Sequence, residues 1–234
     1  MSFLVPARRP SKELLDDPDF PAEDLPLYFD DLELVDRLWG NSRLLAGHLE
    51  KNLKSQDGVP LTVLDVGAGS GHVSSEIAAR LRRRGRSARV VALDIQWSHL
   101  AAGHAHDGAG TARAAADAFE LPFRDDSADW IVSALFFHHF SPEENVRLLR
   151  ELSRVARLGF ALVDIRRHRF LLSFFRIAGR LRLGCPASLE DGIASVRQAY
   201  TVEEAREIAE HAVPGARVRR VFPYRLLVFK PPPH

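Results

Sequence analysis

The stretch Val63-Leu64-Asp65-Val66-Gly67-Ala68-Gly69-Ser70-Gly71 constrains the fold of this chain more than any other: an apolar run carrying one carboxylate passes straight into three alternating glycines. Glycine at such a turn lets the backbone adopt φ > 0 and lets a ligand approach closer than any Cβ would permit. The run reads as a strand, a tight turn and the start of a helix, with an adenosine-like group as the ligand. The next thirty residues fit that reading. Val73 to Arg84 has the spacing of an amphipathic helix, and Ala88 to Asp94 reads as a buried strand ending in a carboxylate. In open α/β sheets ligands bind at the carboxyl edge, where an acid accepts hydrogen bonds from two ribose hydroxyls. Asp94 suits that role, the alternative being an N-cap for a helix from Ile95 to Ala102.

The loop spacing separates two ligand classes. A dinucleotide site uses G-x-G-x-x-G, whose third glycine packs helix on strand while the helix N-terminus holds a pyrophosphate. Here the spacing is G-x-G-x-G, with His72 where that third glycine belongs. S-adenosylmethionine has no phosphate and needs room for a ribose and a zwitterionic methionine tail. Asp65, Gly67 and Gly69 meet that need, the carboxylate attracting the ammonium directly or through water.

On these residues the chain resembles the class I S-adenosylmethionine-dependent methyltransferases, over roughly residues 61–230. Asp65 to Gly71 is similar to the family's first motif, Asp94 to its ribose-binding acid, and Ala116-Asp117-Ala118-Phe119 to its adenine-contacting segment. Leu121-Pro122-Phe123 through Ser127-Ala128-Asp129-Trp130-Ile131-Val132-Ser133 resembles the fourth strand and its lead-in. The resemblance implies cofactor contacts from Asp65, Gly67, Ala68, Gly69, Gly71, Asp94, Ile95, Asp117, Ala118 and Ser133. It also implies a doubly wound, Rossmann-like, seven-stranded and mostly parallel sheet with an antiparallel C-terminal strand. Within the family, His138-His139-Phe140-Ser141 looks most like small-molecule enzymes of secondary metabolism, such as quinone C-methyltransferases and sugar or polyketide O-methyltransferases.

Composition agrees with one α/β domain, since 234 residues at 46% hydrophobic can bury their own core. A net charge of +1 gives no general attraction to nucleic acid. A single cysteine, Cys185, cannot form an internal disulfide; with no apparent signal-peptide h-region and no apolar run of ~18 residues, a cytoplasmic location is expected. No CxxC or spaced His/Cys cluster is present, so no metal is expected.

Three zones divide the chain. Residues 1–57 read as an N-terminal helical lid, rich first in proline and acid and then helical from Asp31 to Leu53. Residues 58–234 read as the cofactor-binding domain, interrupted by a cap insertion at about 166–198. The domain closes with a helix from Val202 to Ala212 and strands at 217–222 and 224–230 around Pro223. Ser141-Pro142-Glu143-Glu144 and Thr201-Val202-Glu203-Glu204 have the pattern of capped helix starts. Arg82-Arg83-Arg84-Gly85-Arg86 suits a helix C-terminus, where cations oppose the dipole and glycine stops the helix.

In the insertion, arginines at 166, 167, 169, 176, 180 and 182 surround Phe170, Leu171, Leu172, Phe174, Phe175, Ile177, Ala178 and Leu181 with no acid among them. The apolar positions follow helical spacing. Such a helix packs on the core with a solvated arginine face, caps an acceptor pocket, or touches anionic lipid.

Methyl transfer is an in-line displacement at a carbon already activated by sulfonium, so the protein chiefly aligns acceptor, methyl and sulfur and excludes water. For a hydroxyl acceptor a histidine near pKa ~6.5 is a suitable base. His139, with His138 as substitute, follows the fourth strand at the edge where the methyl should point, and Asp164, ending the fifth, is placed to orient one imidazole. In similar enzymes a histidine and an acid at these places line the acceptor pocket. Trp39, Phe136, Phe174 and Phe175 indicate an apolar, aromatic or polyketide- or quinone-like acceptor. Attack through carbon, as on a quinone precursor, and a non-catalytic cofactor-binding protein on the same fold are the competing readings. A nucleotide-dependent oxidoreductase is disfavoured by the loop spacing. Methylation of nucleic-acid bases or glutamine is disfavoured because no Asn-Pro-Pro-Tyr-like motif follows the fourth strand.

Overall fold

The computed structural model describes residues 5–52, 60–103 and 111–232, so Leu53 and the 57/58 boundary lie outside the described residues. Among these residues seven strands form one sheet: β1 (Leu61–Val66), β2 (Ala88–Asp94), β3 (Thr111–Ala115), β4 (Ala128–Ala134), β5 (Ala156–Ile165), β6 (Arg217–Val221) and β7 (Arg225–Lys230). Their spatial order is β3-β2-β1-β4-β5-β7-β6. The first five pair in parallel, and β7 runs antiparallel to both β5 and β6. This is the doubly wound, mostly parallel sheet expected from the motifs.

Alternation along the strands sorts side chains to two faces. Ile131, Phe160, Leu162, Leu226 and Val228 face one core; Trp130, Val132, Ala161, Val163 and Leu227 face the other. Helices α5 (Pro142–Val155) and α8 (Val202–Ala212) close the first, through Leu148, Leu149, Leu152, Ala205 and Ile208. Helices α2 (Asn41–Asn52) and α3 (His72–Arg83) close the second, through Leu45, Leu49, Ile77 and Leu81. Both α5 and α8 begin in capping boxes, Ser141 with Glu144 and Thr201 with Glu204.

The helical stretch expected from Asp31 to Leu53 is two helices, not one. Helix α1 (Leu25–Trp39) starts earlier because Pro26 sits in its first turn, where a missing N–H costs nothing. It stops at Gly40, whose φ of +75° few other residues adopt, and α2 begins at Asn41. The insertion likewise holds two helices, α6 (Arg169–Arg180) and α7 (Pro186–Gln198), separated by left-handed Arg182 (φ +53°) and Gly184 (φ +155°). They pack on each other and on Ile165, Trp39 and Tyr224 beyond the carboxyl end of β5. A short helix α4 (Trp97–Ala102) follows β2. No helix among the described residues is long and apolar enough to cross a membrane.

Candidate active site

Sheet order reverses between β1 and β4, so the connections leaving their carboxyl ends diverge and leave a crevice. Two cavities occupy it. The smaller, ≈ 170 Å³, is lined by Gly67, Ala68, Gly69, Asp94, Ile95 and Gln96, with Phe29, Glu33 and Asp36 of α1 opposite. The larger, ≈ 330 Å³, is lined by Leu34, Leu38, Trp39, Ile165, Phe174 and Phe175, with His138 and Glu13 at its inner end. Leu15, Leu32, Leu135 and His139 line both.

The turn after β1 has the anticipated geometry, with Gly67, Gly69 and Gly71 at φ +68°, +54° and +78°. A Cβ on Gly69 would stand 3.0 Å from the Phe29 ring, and one on Gly67 would overlap Phe136. Asp94 faces this loop: its Oδ2 accepts from Gly69 N (2.9 Å) and its Oδ1 from Gln96 N (2.9 Å). Each carboxylate oxygen keeps a lone pair with which to accept a ribose hydroxyl.

Asp65 lies elsewhere than expected. It is buried and lines neither cavity, because its Oδ2 turns under the loop to accept from Ser74 Oγ (2.6 Å) in the first turn of α3. Burial first, then the charges of Asp94 and Asp36, lift its carboxyl to about 7 against the pull of the Ser74 hydrogen bonds. The charge that faces the smaller cavity comes instead from Glu33, Asp36 and His72. His72 Nε2 lies 3.2 Å from Asp36 Oδ2; burial lowers its pKa, but Asp36 and Glu33 outweigh this and raise it. Its Nδ1 is buried without a hydrogen bond, 3.5 Å from Glu33 Oε2. A cation donor beside two carboxylates fits a zwitterionic amino-acid tail, so these residues fit the group that the loop spacing implied. Nothing in the local sequence marks Glu33 or Asp36, whose role depends on α1 crossing the loop.

Several other expected contacts are placed differently. Gly71 faces the Ala92 side chain, and Ser133 is buried, donating to Val66 O (2.7 Å) to tie β4 to β1. Asp117 is exposed and caps Phe119 N (2.8 Å), while Ala118 packs into the core; neither lines either cavity. Phe136 lines the smaller cavity rather than the acceptor side, its ring held against Gly67 and Phe140. Trp39, Phe174 and Phe175 do line the larger cavity.

The histidines carry the densest electrostatics. His138 is buried, its Nδ1 2.7 Å from Asp164 Oδ1 and its Nε2 3.2 Å from Glu13 Oε1. Burial alone would lower its pKa, but the two carboxylates outweigh this and lift it to about 10. Glu13 is correspondingly held at about 2: burial would raise it, but the His138 hydrogen bond, the charges of His139 and His138, and the Ser195 hydroxyl outweigh that. His139 is less enclosed, its Nδ1 3.0 Å from Asp16 Oδ2. Glu13 and Asp16 carry no signal in the sequence, and only tertiary structure reveals them. They belong to an N-terminal strap whose Leu14 and Leu15 amides donate to Asp191 of α7 (2.7 and 3.0 Å) and whose Arg8 donates to Gln198 O (2.7 Å) and Phe140 O (2.9 Å).

Comparison with known proteins agrees with this fold. Residues 63–159 match the family model described as a methyltransferase domain. Over that stretch the chain is similar to methyltransferase domains. An uncharacterized methyltransferase of Mycolicibacterium vanbaalenii is 34% identical over 129 residues, covering 53% of this chain and 48% of the relative, so the chain spans about half of that protein's length. Among solved structures, an S-adenosylmethionine-dependent methyltransferase from Aquifex aeolicus is similar with a TM-score of 0.53 at 24% identity, over 92% of this chain and 93% of that one. The magnesium protoporphyrin IX methyltransferase of Synechocystis PCC 6803, solved with bound SAH, gives a TM-score of 0.54 at 16% identity, over 92% and 90% of the two chains. These likenesses show the fold; of the two neighbours, one is S-adenosylmethionine-dependent and the other holds SAH.

Asp65 supplies a stability test. A carboxyl whose folded pKa exceeds its unfolded value favours folding while protonated, so the folded state loses stability as pH rises from the ordinary 3.8 through about 7. Relative to Asp65→Asn, the wild type should therefore lose up to about 4 kcal/mol between roughly pH 4 and pH 8, read by urea unfolding. A difference that stays constant with pH would show that Asp65 ionises freely.

Proposed function

We propose that the protein transfers a methyl group from S-adenosylmethionine to a hydroxyl oxygen of a small apolar acceptor, aromatic or polyketide- or quinone-like. The observation that carries this reading is the pair of cavities, one built from the glycine loop and Asp94, the other apolar and larger, meeting at Leu135 and His139. The cofactor supplies a sulfonium-activated methyl. Asp94 takes the ribose, while Glu33, Asp36 and His72 take the methionine tail. Leu15, Leu32 and Leu135 keep water from the junction, and His139, on the wall of both cavities, assists ionisation of the hydroxyl.

Titration calorimetry tests the donor half: the chain should bind S-adenosylhomocysteine and not NAD. Removing a charged hydrogen-bond partner costs about 1.5–3 kcal/mol, so Asp94→Ala should weaken that binding roughly tenfold to more than a hundredfold. Wild-type affinity in a folded Asp94→Ala protein would remove the site from consideration. His139→Ala should lower turnover by about 10²–10⁴ with little change in cofactor affinity. Unaltered turnover would point to a carbon nucleophile that needs no base.

The mouth of the larger cavity favours a further reading, peripheral contact with a membrane from which the acceptor enters. Leu34, Leu38, Phe174 and Leu183 line the cavity yet are 52%, 70%, 46% and 65% exposed, and Phe170, Ile177 and Leu181 extend the apolar rim. No acid occurs from Arg166 to Leu189, while Arg176, Arg180 and Arg182 flank the rim. Cosedimentation with anionic vesicles at low salt, reversed by added salt, is expected, since polybasic attraction is worth about 1 kcal/mol per residue and is screened by ions. Replacing Arg176 and Arg180 with glutamine should weaken it. No binding at low salt would leave α6 as a cap alone.

A further inference from the structure

His138 and His139 share an arrangement that a general base does not require. Each ring is anchored at Nδ1 by an aspartate, Asp164 at 2.7 Å and Asp16 at 3.0 Å. Each turns Nε2 to the same glutamate: His138 Nε2 is 3.2 Å from Glu13 Oε1, and His139 Nε2 is 3.8 Å from Glu13 Oε2. A carboxylate only accepts, so an aspartate at Nδ1 holds a hydrogen there and leaves Nε2, directed at Glu13, as the nitrogen that can exchange its proton for a metal ion. Two Nε2 atoms and a carboxylate that converge in this way can share a positive charge, carried by protons on nitrogen or by a metal ion.

We propose that Glu13, His138 and His139 bind a divalent transition cation of the zinc class at the junction of the two cavities, a cation that no ligand spacing in the sequence announces. The three ligand groups lie within 4.8 Å of one another. Atoms bonded to such an ion at about 2.0–2.2 Å on tetrahedral positions stand roughly 3.3–3.5 Å apart, so only small movements would close the site. The surrounding contacts are of the kind that tune metal ligands: carboxylates behind both imidazoles, and Ser195 Oγ (2.5 Å) and Gln198 Nε2 (2.9 Å) fixing Glu13 Oε1. Two imidazoles and one carboxylate leave at least one coordination position open, and both histidines line the larger cavity. An acceptor hydroxyl bound there would have its pKa lowered and release its proton to solvent; the oxygen–carbon bond then forms as the carbon–sulfur bond breaks and neutral S-adenosylhomocysteine departs. This gives the histidine assistance of the preceding section a specific form and rests on that reading.

The test uses the whole chain, stripped of metal and titrated with Co²⁺. Wild type should take up one equivalent, giving visible d–d absorption that Zn²⁺ abolishes. Asp16→Asn should weaken uptake about 10–100-fold, as loss of a supporting carboxylate does. Glu13→Gln and His139→Ala should remove the absorption, with circular dichroism confirming that each remains folded. A wild type without the Co²⁺ spectrum, or the same spectrum in folded Glu13→Gln and His139→Ala proteins, would overturn the proposal and leave the trio as an ion-pair clasp for the strap. S-adenosylhomocysteine calorimetry on the same samples keeps the two readings apart. Cofactor binding without Co²⁺ uptake defeats only the metal site, and Co²⁺ uptake without cofactor binding defeats only the methyltransferase reading.

Discussion

Strands β1 and β4 lie side by side but send the chain toward opposite edges of the sheet, and the crevice this leaves at their carboxyl ends is the constraint on which the site depends. At the end of β1 the backbone turns through left-handed glycines, bringing amides rather than side chains to the crevice floor. At the end of β4 it turns through Leu135, itself left-handed at φ +57°, and presents the two histidines. A non-glycine residue in that region carries strain of order 1 kcal/mol, held here by the Leu135 amide donating to Val163 O (2.9 Å). The two cavities are thus neighbours because two adjacent strands end together.

The sheet provides the floor, and the walls come from far away in sequence. Glu13 meets His138 across 125 positions, and Asp191 receives the strap amides across 177 and 176. Isolated charges at such depth would be strongly unfavourable, and removing one partner of a buried pair typically costs about 3–5 kcal/mol because the other is left uncompensated. The chain Glu13–His138–Asp164 avoids that by alternating acid and imidazole, with Ser195 and Gln198 also donating to Glu13 Oε1. The same arrangement makes the strap integral to the site, since the carboxylate that closes the inner end of the acceptor cavity also fastens the strap.

The range of each interaction decides how much of this is legible in the sequence. The β1 turn, Asp94 at the end of β2, and the caps at Ser141 and Thr201 depend on residues within a few positions, so pattern and propensity identify them. Pro26 and Gly40 are legible too, but a helical periodicity runs through Gly40 without a break and masks the boundary there. Asp65 shows a subtler failure: its place in the motif is as expected, yet whether its carboxylate faces ligand or Ser74 depends on a side-chain direction that spacing does not encode. Asp117, Ala118 and Ser133 are of the same kind. Glu13, Asp16, Glu33 and Asp36 leave no local trace, because what distinguishes them from other surface acids is the element packed against them.

The two halves of the site therefore differ in what holds them. The floor of the smaller cavity is mostly backbone, a glycine turn and Asp94 positioned by parallel pairing of β1 with β2, while Glu33 and Asp36 of α1 and His72 of α3 supply its other charged walls. The larger cavity is made chiefly of side chains on α1, α6 and α7, elements outside the sheet that pack on one another through Trp39, Leu171, Leu172, Phe175 and Val196. Apolar contacts of this kind are non-directional, so the cavity's shape can change by exchange of side-chain volume while the sheet is untouched. On the proposed reading, acceptor identity is carried by helices of which α7 is tied to the strap through Asp191, so loosening the Glu13–His138 contact would alter the larger cavity before the smaller.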